Sequence, residues 1–468
     1  MPGRSTPVRC AAVVAAIGAV TVLSALLVLP APSYDPWAWL LWGREIAAGE
    51  LHTLEGPAFK PLPVAVTAVL SVLGPAAPVA WVLLARAAAA VAVWLAFRLG
   101  RRLGGGSVVA GVFAGLAVAL CGRLLPLSAS GVSEAMVLAL ALAAAEAWAA
   151  GRPRWSVGCA VGCGLLRVEA WPFLLLAGAR LWRRRPQDRS LLAGAAAAVP
   201  LAWLVPELIG SGDLLRSAAR AQVAEAGHPA LASVPALASL GEAAAQVLWP
   251  LWVGVAFLCW RRYRRRDTAA GAALVPAAAG AAWIAVVAAM AQAGFSGEAR
   301  YSLFGAALVS VTGAVGLAGA AHRLVLGATS RAPARDFAPR SLRWAVAGAV
   351  VVAVGVAVVT RAAALGGMRA EQAHQWRLQA DLLHAVEAAG GRGAVLACGA
   401  PYVGRLRGPL AAYRLGVAKH EVEPDDPPAA PGVVFRSALA AGATPAPVVP
   451  PGFTRIGGRG LWQVYASC

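Results

Sequence analysis

Runs of about twenty apolar residues, parted by short polar stretches, recur along this chain at 11–30, 78–99, 107–122, 131–150, 190–209, 243–260, 270–293, 301–321 and 344–360. As a helix, each run is long enough to cross a hydrocarbon layer of ~30 Å. Two regions break the series. Residues 61–77 are apolar but short and bounded by prolines, which predicts a helix lying in the outer interface or dipping into it. Residues 156–182 lie between Arg152 and Arg154 on one side and Arg183, Arg184 and Arg185 on the other. Both ends read as facing the same side, and the stretch is too short for two full spans. A hairpin of two short helices turning at 166–169 satisfies both constraints.

Beyond 360 the pattern changes. A helix is expected over Arg369–Ala389, then strand-like runs at Ala394–Ala397, Val417–Val422, Val433–Arg436 and Leu461–Tyr465, joined by Pro/Gly-rich connections such as 424–432. The expected fold is a polytopic α-helical membrane protein of about nine full spans plus the hairpin, with a small C-terminal extracytoplasmic α/β domain. The division falls at 1–360, which includes a first outer loop at 31–77, and 361–468.

Composition agrees: 59% hydrophobic and 13% charged residues, with mean hydropathy +0.67, exclude a soluble chain. A net charge of +19 would suggest nucleic acid in a soluble protein, but its distribution argues otherwise. Arginines gather in alternate connections: Arg4 and Arg9; Arg98, Arg101 and Arg102; Arg152 and Arg154; Arg183, Arg184, Arg185 and Arg189; Arg261, Arg262, Arg264, Arg265 and Arg266; Arg323, Arg331, Arg335, Arg340 and Arg343. The intervening loops carry few. This asymmetry places the basic loops and the N-terminus in the cytoplasm of a multi-pass protein of the inner or plasma membrane, with no nucleic-acid partner. The first run has the basic flank of a signal peptide, but Pro30-Ala31-Pro32-Ser33 is a poor cleavage site, and the run is read as a retained span.

The seven cysteines show no metal spacing. Cys159 and Cys163 read as packing residues. Cys398 and Cys468 fall outside the membrane, where a structural disulfide is expected to pin the C-terminus. Neither a Walker loop, a metal-binding histidine pair nor a nucleophilic serine elbow occurs, which argues against ATP-driven transport and serine hydrolysis.

Chemistry concentrates between Ser33 and Pro63, where Asp35, Arg44, Glu45, Glu50, His52, Glu55 and Lys60 stand among aromatic rings beside membrane segments. Ionised groups beside hydrocarbon are costly unless hydrated, paired or bound. Asp35 has the properties of a base whose proton affinity is raised by low-dielectric surroundings, and equally of an acid near the start of a helix beginning at Pro36. Lys60 and Arg300 are candidate phosphate contacts; their bland alternatives are snorkelling and a local pair with Glu298. Arg167 and Glu169 mark the hairpin turn, as substrate contacts or as a pair that fixes it. Glu134 either lines a sugar pocket or favours a helix N-terminus. Arg86 meets lipid phosphate or a buried partner. Trp37, Trp39 and Trp42 suit an interfacial belt or sugar stacking, and the loop of Arg216 and Arg220 lies on the same side.

The order of a first span, an Asp-aromatic outer loop, KPLP at 60–63, Arg86 in the next span and RLGRR at 98–102 resembles the GT-C membrane glycosyltransferases. The likeness is to the branch of protein O-mannosyltransferases and lipid A aminoarabinose transferases. LLRVEAWPFLL (165–175) and GEARYSLF (297–304) are similar to segments of bacterial members and bring Glu298 and Tyr301 among the expected substrate contacts. The resemblance implies transfer of a sugar from a polyprenyl-phosphate donor to an envelope glycan, lipid or protein on the outer face. Asp35 matches the essential acid of the first outer loop. Pro36 stands where many members carry a second acid, leaving Glu45 as its substitute. No cofactor is fixed by this reading; a divalent cation is left open. A transporter or flippase for a lipid-linked or small polar solute, with Arg167 and Glu169 lining its path, is the alternative. A non-catalytic scaffold for envelope assembly is the third reading.

Overall fold

A computed structural model describes residues 6–329, 340–423 and 428–468. Arg4, Arg331 and Arg335, read above as cytoplasmic cations, lie outside the described residues, as does part of the 424–432 connection.

Helix α1 (Thr6–Leu27) leads into α2 (Tyr34–Ala47), α3 (Pro61–Leu70) and α4 (Ala77–Leu103). A six-residue 3-10 segment (Ser71–Ala76) joins α3 to α4 and bends at Gly74 (φ 54°), just before Pro75. Next come α5 (Val108–Ala119), α6 (Leu124–Ala129) and α7 (Glu134–Ala149), then the expected hairpin, α8 (Pro153–Gly164) and α9 (Trp171–Arg184), turning through residues 165–170. The chain continues through α10 (Arg189–Ser211), α11 (Arg216–Ala221), α12 (Pro235–Gln246), α13 (Trp249–Arg264), α14 (Thr268–Gln292) and α15 (Ala299–Thr329).

Nine full spans are not confirmed among the described residues. Among the described residues, four helical stretches are long and apolar enough to cross a membrane: Pro61–Leu103, Pro186–Ser211, Thr268–Gln292 and Ala299–Arg323. A fifth counts if α12 and α13, bent by 95°, form one broken span. The run at 107–122 fails because α5 stops after 12 residues, about 18 Å of helix.

Helix α15 runs through the centre of the bundle, with Ala306, Val311 and Ala314 fully enclosed. Small residues let backbones touch, as hydrocarbon offers no hydrophobic drive between helices. A Cβ on Gly313 would come within 2.4 Å of the Leu251 carbonyl oxygen.

Helix α16 (Arg340–Ala388) continues without a break from the last apolar run into the C-terminal domain, so the helix expected at 369–389 is its upper half. The domain adds α17 (Gly391–Cys398), α18 (Gly408–Leu415) and strands β1 (Ala400–Tyr402), β2 (Gly432–Ser437), β3 (Thr454–Arg459) and β4 (Trp462–Ser467). The sheet order is β1-β2-β4-β3, with β1 parallel to β2 and the other pairs antiparallel. Two strand expectations fail: 394–397 is helical in α17, and 417–422 holds only a 3-10 turn at Lys419–Glu421. A disulfide joins Cys398 to Cys468.

The domain and the loop bearing α2 share one apolar core, in which Trp37, Trp39 and Trp42 cluster with Leu378, Phe435 and Trp462. These three tryptophans therefore serve packing. Trp39 meets Trp81 edge-on at 5.6 Å between ring centres, and Trp42 donates to the His52 carbonyl at 2.9 Å. Polar ties reinforce the seam: Lys419 pairs with Glu55, Arg44 donates to Tyr413 O at 2.7 Å, and Gln379 donates to Pro32 O at 2.8 Å.

Candidate active site

Three segments distant in sequence meet at the α2 end of the bundle. The first turn of α2 presents Asp35. Lys60 precedes Pro61, whose fixed φ suits the start of α3. Gly297, in left-handed backbone (φ 65°) with Ala291 Cβ 2.6 Å from where its own would stand, turns the chain into α15 so that Glu298 and Arg300 face α2.

Arg300 is the hub. Its Nη1 donates to Asp35 Oδ2 at 2.9 Å, Glu298 Oε2 lies 2.6 Å from its Nε, and its guanidinium lies 5.2 Å from the centre of the Tyr301 ring. His228 Nε2 stands 3.3 Å from the other Glu298 oxygen. Asp35, Lys60, Glu298, Arg300 and Tyr301 line one cavity of about 270 Å³, with Ser33, Tyr34 and Arg220 on its walls.

Lys60 is 7% exposed, and no carboxylate among the described residues lies within ion-pair distance of it. Its ammonium donates to Ser133 Oγ at 3.3 Å and sits 4.9 Å from the centre of the Trp39 ring. Burial, helped by the charge of Arg167, brings its pKa down to about 8. A buried cation without a counter-ion is costly, and an anion arriving beside it would offset that cost.

Burial pushes the Asp35 carboxyl up, but Arg300, Lys60 and Arg167 outweigh it and hold the acid below its ordinary value. The raised proton affinity expected from the sequence is thus reversed. The Tyr34 hydroxyl, by contrast, is pushed up to about 12, chiefly by burial.

Behind this cavity, Arg167 pairs with Glu134, lies 3.8 Å from Glu169, and stacks 4.2 Å from the centre of the Tyr301 ring. Glu134 therefore backs Arg167 instead of lining the polar cavity. A second cavity of about 350 Å³ abuts the first, sharing Ala58, Lys60, Ala221, Ser296 and Tyr301. Arg167 and Glu169 line it, but its walls are otherwise mainly apolar, with Leu166, Trp203, Leu204 and Phe295 among them. Lys60 stands at the junction of a polar chamber and an apolar one.

Two expected residues are not brought in. Glu45 lies three turns further along α2, where its Oε2 accepts from the His52 backbone N–H at 2.9 Å; it cannot serve as the second acid beside Asp35. Arg86 is enclosed by carbonyls, donating to Ser24 O, Val28 O, Leu29 O and Ala129 O at 2.8–3.2 Å. It closes the end of α1 onto α6 and has no donor left to face a ligand on those two nitrogens.

One group escaped the sequence reading. Glu207, fully buried near the end of α10, accepts from Thr53 Oγ1 at 2.8 Å, from Arg216 Nη1 at 3.1 Å and from Ser217 Oγ. Arg216 also donates to Gly56 O and Pro57 O, each at 3.1 Å, and Ser217 accepts from the Phe59 N–H at 2.6 Å. The network straps residues 53–59 in place immediately before Lys60. A lone carboxylate late in an apolar run was the available signal.

Among the described residues, no group of three histidine, cysteine or acidic side chains converges to hold a metal. Arg300 lies between the two acids that would be first choice, Asp35 and Glu298. This donor set does not fit a divalent cation.

No family model matches the chain, and no curated protein does. Solved structures do. ArnT from Cupriavidus metallidurans bound to undecaprenyl phosphate is similar over 100% of this chain and 99% of its own, with 15% identity and a TM-score of 0.50. The apo state of the same protein gives 99% and 98% coverage, 16% identity and a TM-score of 0.51. The archaeal oligosaccharyltransferase AglB from Archaeoglobus fulgidus, in complex with an inhibitory peptide and a dolichol-phosphate, matches 75% of this chain and 55% of its own at 13% identity and a TM-score of 0.46. From end to end, this chain has the fold of ArnT.

Proposed function

We propose that this protein is a multi-pass glycosyltransferase of the inner membrane that moves a sugar from a polyprenyl-phosphate donor to an envelope acceptor on the outer face. The carrying observation is Lys60, a buried cation with no carboxylate of the described residues within ion-pair distance, at the junction of a polar cavity and an apolar one. That junction has the shape of a lipid-linked phosphate: prenyl chain in the apolar chamber, phosphate at Lys60, sugar toward Asp35. A small polar solute would need no such division, which weighs against its transporter; a flippase for a lipid-linked solute is told apart by turnover in the test below, and a scaffold would need no buried charge of this kind.

In the reaction, an acceptor hydroxyl oxygen bonds to the anomeric carbon as the bond from that carbon to the phosphate oxygen breaks. Asp35 takes the hydroxyl proton; the electron pair of the broken bond leaves with polyprenyl phosphate, whose added negative charge Lys60 and Arg300 stabilise. Arg300 keeps Asp35 ionised and therefore able to accept. The positive-inside pattern puts this end of the bundle, and residues 361–468 with it, outside the cytoplasm. The test is transfer from polyprenyl-phosphate sugars carrying a radiolabel. Label transferred or hydrolysed by the parent and not by Asp35→Asn supports the reading; vesicle uptake without turnover supports the transporter.

A further inference from the structure

Helix α9, the second arm of the hairpin, is barely enclosed by protein. Of its 14 residues only Leu181 is buried, and Leu175 and Leu176 are 68% and 73% exposed. Beside it a groove of about 440 Å³ opens between α8, α9 and α10, within the ~300–1,000 Å³ usual for ligand sites. No charged side chain lines it, and the hydroxyl of Ser156 on its wall is spent on Ala144 O at 2.8 Å. A Cβ added at Gly178 would meet nothing within 4 Å, so the space beside α9 is open.

The two ends of the groove differ. At one end stands Trp171, the only residue shared with the apolar chamber beside Lys60. Its indole donates to Gly164 O at 3.1 Å, and Trp203 of the chamber wall donates to the same oxygen at 2.9 Å, so a pinned ring parts the two spaces. The other end is reached at Trp148, Ser156, Trp182 and Leu192, beside the helix ends that carry Arg154, Arg183, Arg184, Arg185 and Arg189. Asp188, the one acid in residues 180–189, is taken up by Arg154 at 2.8 Å and Arg185 at 3.9 Å. Arg189 is held against the groove wall, its guanidinium 5.5 Å from the centre of the Trp182 ring and its Nε donating to Trp182 O at 3.2 Å. Arg183 and Arg184 are exposed, with no acid of the described residues within ion-pair distance.

We propose that this groove binds an anionic phospholipid of the leaflet that these arginines face. One acyl chain lies between Leu174, Gly178, Ala196 and Val199, and the phosphate rests on Arg189 with Arg183 and Arg184. The cluster keeps an excess of positive charge after Asp188 is counted, which an anionic headgroup neutralises and a choline cation opposes. Guanidinium also meets phosphate with paired N–H donors. A prenyl chain anchored at Lys60 stays on the far side of Trp171. Filling the groove completes the packing of α9, and the turn of the same hairpin carries Arg167, which pairs with Glu134 behind the Asp35 cavity. The site lies outside the cavities assigned to sugar transfer and holds or fails independently of that reading.

The experiment uses the full chain reconstituted in phosphatidylcholine bilayers with phosphatidylglycerol bearing a photoreactive acyl tail. Cross-links mapped by mass spectrometry should concentrate at 171–182 and 192–200. Equimolar phosphatidylcholine with the same tail should label these segments roughly tenfold less, equivalent to about 1.4 kcal/mol. Arg183→Gln, Arg184→Gln and Arg189→Gln should each lower the preference and together abolish it, with an unchanged melting temperature showing that the fold is kept. Gly178→Phe, whose ring enters the open groove, should cut labelling by both lipids. Equal labelling of the parent by the two lipids overturns the proposal. So does a preference that survives the three arginine exchanges together, or labelling undiminished in both Gly178→Phe and Ala196→Phe. Displacement of the label by equimolar undecaprenyl phosphate would make the groove an extension of the Lys60 chamber and overturn it as well.

Discussion

Asp35 and Lys60 have opposite electrostatic fates within one cavity. Asp35 is held as the anion by Arg300 at 2.9 Å, whereas Lys60 is desolvated without an ion-pair partner among the described residues. The pH dependence follows with definite sign. Lys60 carries its charge below about 8 and loses it above. Affinity for polyprenyl phosphate should thus hold through neutral pH and fall as pH rises past that value, a midpoint that bound phosphate moves upward. Titrating undecaprenyl phosphate from pH 6 to 10 checks this; affinity unchanged across that window contradicts it. Because Asp35 titrates below its ordinary 3.8, turnover should show no acid limb down to about that pH. Asp35→Asn should lower turnover by at least about 100-fold while leaving lipid binding intact. With Arg300 lying between Asp35 and Glu298, chelators should leave transfer unchanged; a requirement for added divalent cation would show that the arginine moves aside.

At the scale of elements, the decisive piece is the strap at 53–59, stapled by Glu207 through Thr53, Arg216 and Ser217. Its final residues carry Lys60 into the cavity. Glu207→Ala leaves the Arg216 charge buried without its partner, so it should cost about 3–5 kcal/mol, seen as a fall in melting temperature of the purified protein. Ser217→Ala removes the anchor at Phe59 and one of the three donors to Glu207, leaving the Arg216 pair in place; it should weaken polyprenyl phosphate binding several-fold and cost less stability than Glu207→Ala, and the reverse pattern would mean the strap serves folding alone. The sequence reading found Lys60 because an isolated cation beside prolines stands out. It passed over Glu207 because a single acid in an apolar run reads as span. The hairpin at 156–182 was legible because arginines flank it on both sides. The bend at Val247–Leu248 was not, since apolar residues run straight through it and hydrophobicity carries no record of direction. Short apolar runs fit strand or helix equally: 394–397 went to α17, while β3, with Gly457 and Gly458 in its middle, gave no alternating pattern at all.

Across the whole molecule, orientation rests on charge. Arginines at the α13–α14 connection stand far along the chain from the seam where α2 meets the C-terminal sheet, and the two ends should lie on opposite sides of the bilayer. Val448, 79% exposed in the C-terminal domain, offers a reporter. In a background lacking free cysteines, Val448→Cys should react with an impermeant maleimide in intact spheroplasts, and Arg265→Cys only after permeabilisation. The single core shared by Trp37, Trp42, Phe435 and Trp462 makes the C-terminal domain part of the wall of the site, not an appended module. That integration was invisible in sequence, where 361–468 looked separate because its hydrophobic pattern differs from that of the spans.

The most direct measurement is competition between undecaprenyl phosphate and undecaprenol for the purified protein and its Lys60→Ala variant at pH 7. The account predicts that the parent prefers the phosphate by at least about tenfold and that the variant binds the two alike. A parent indifferent to the phosphate, or a Lys60→Ala variant that keeps the full preference, would contradict it.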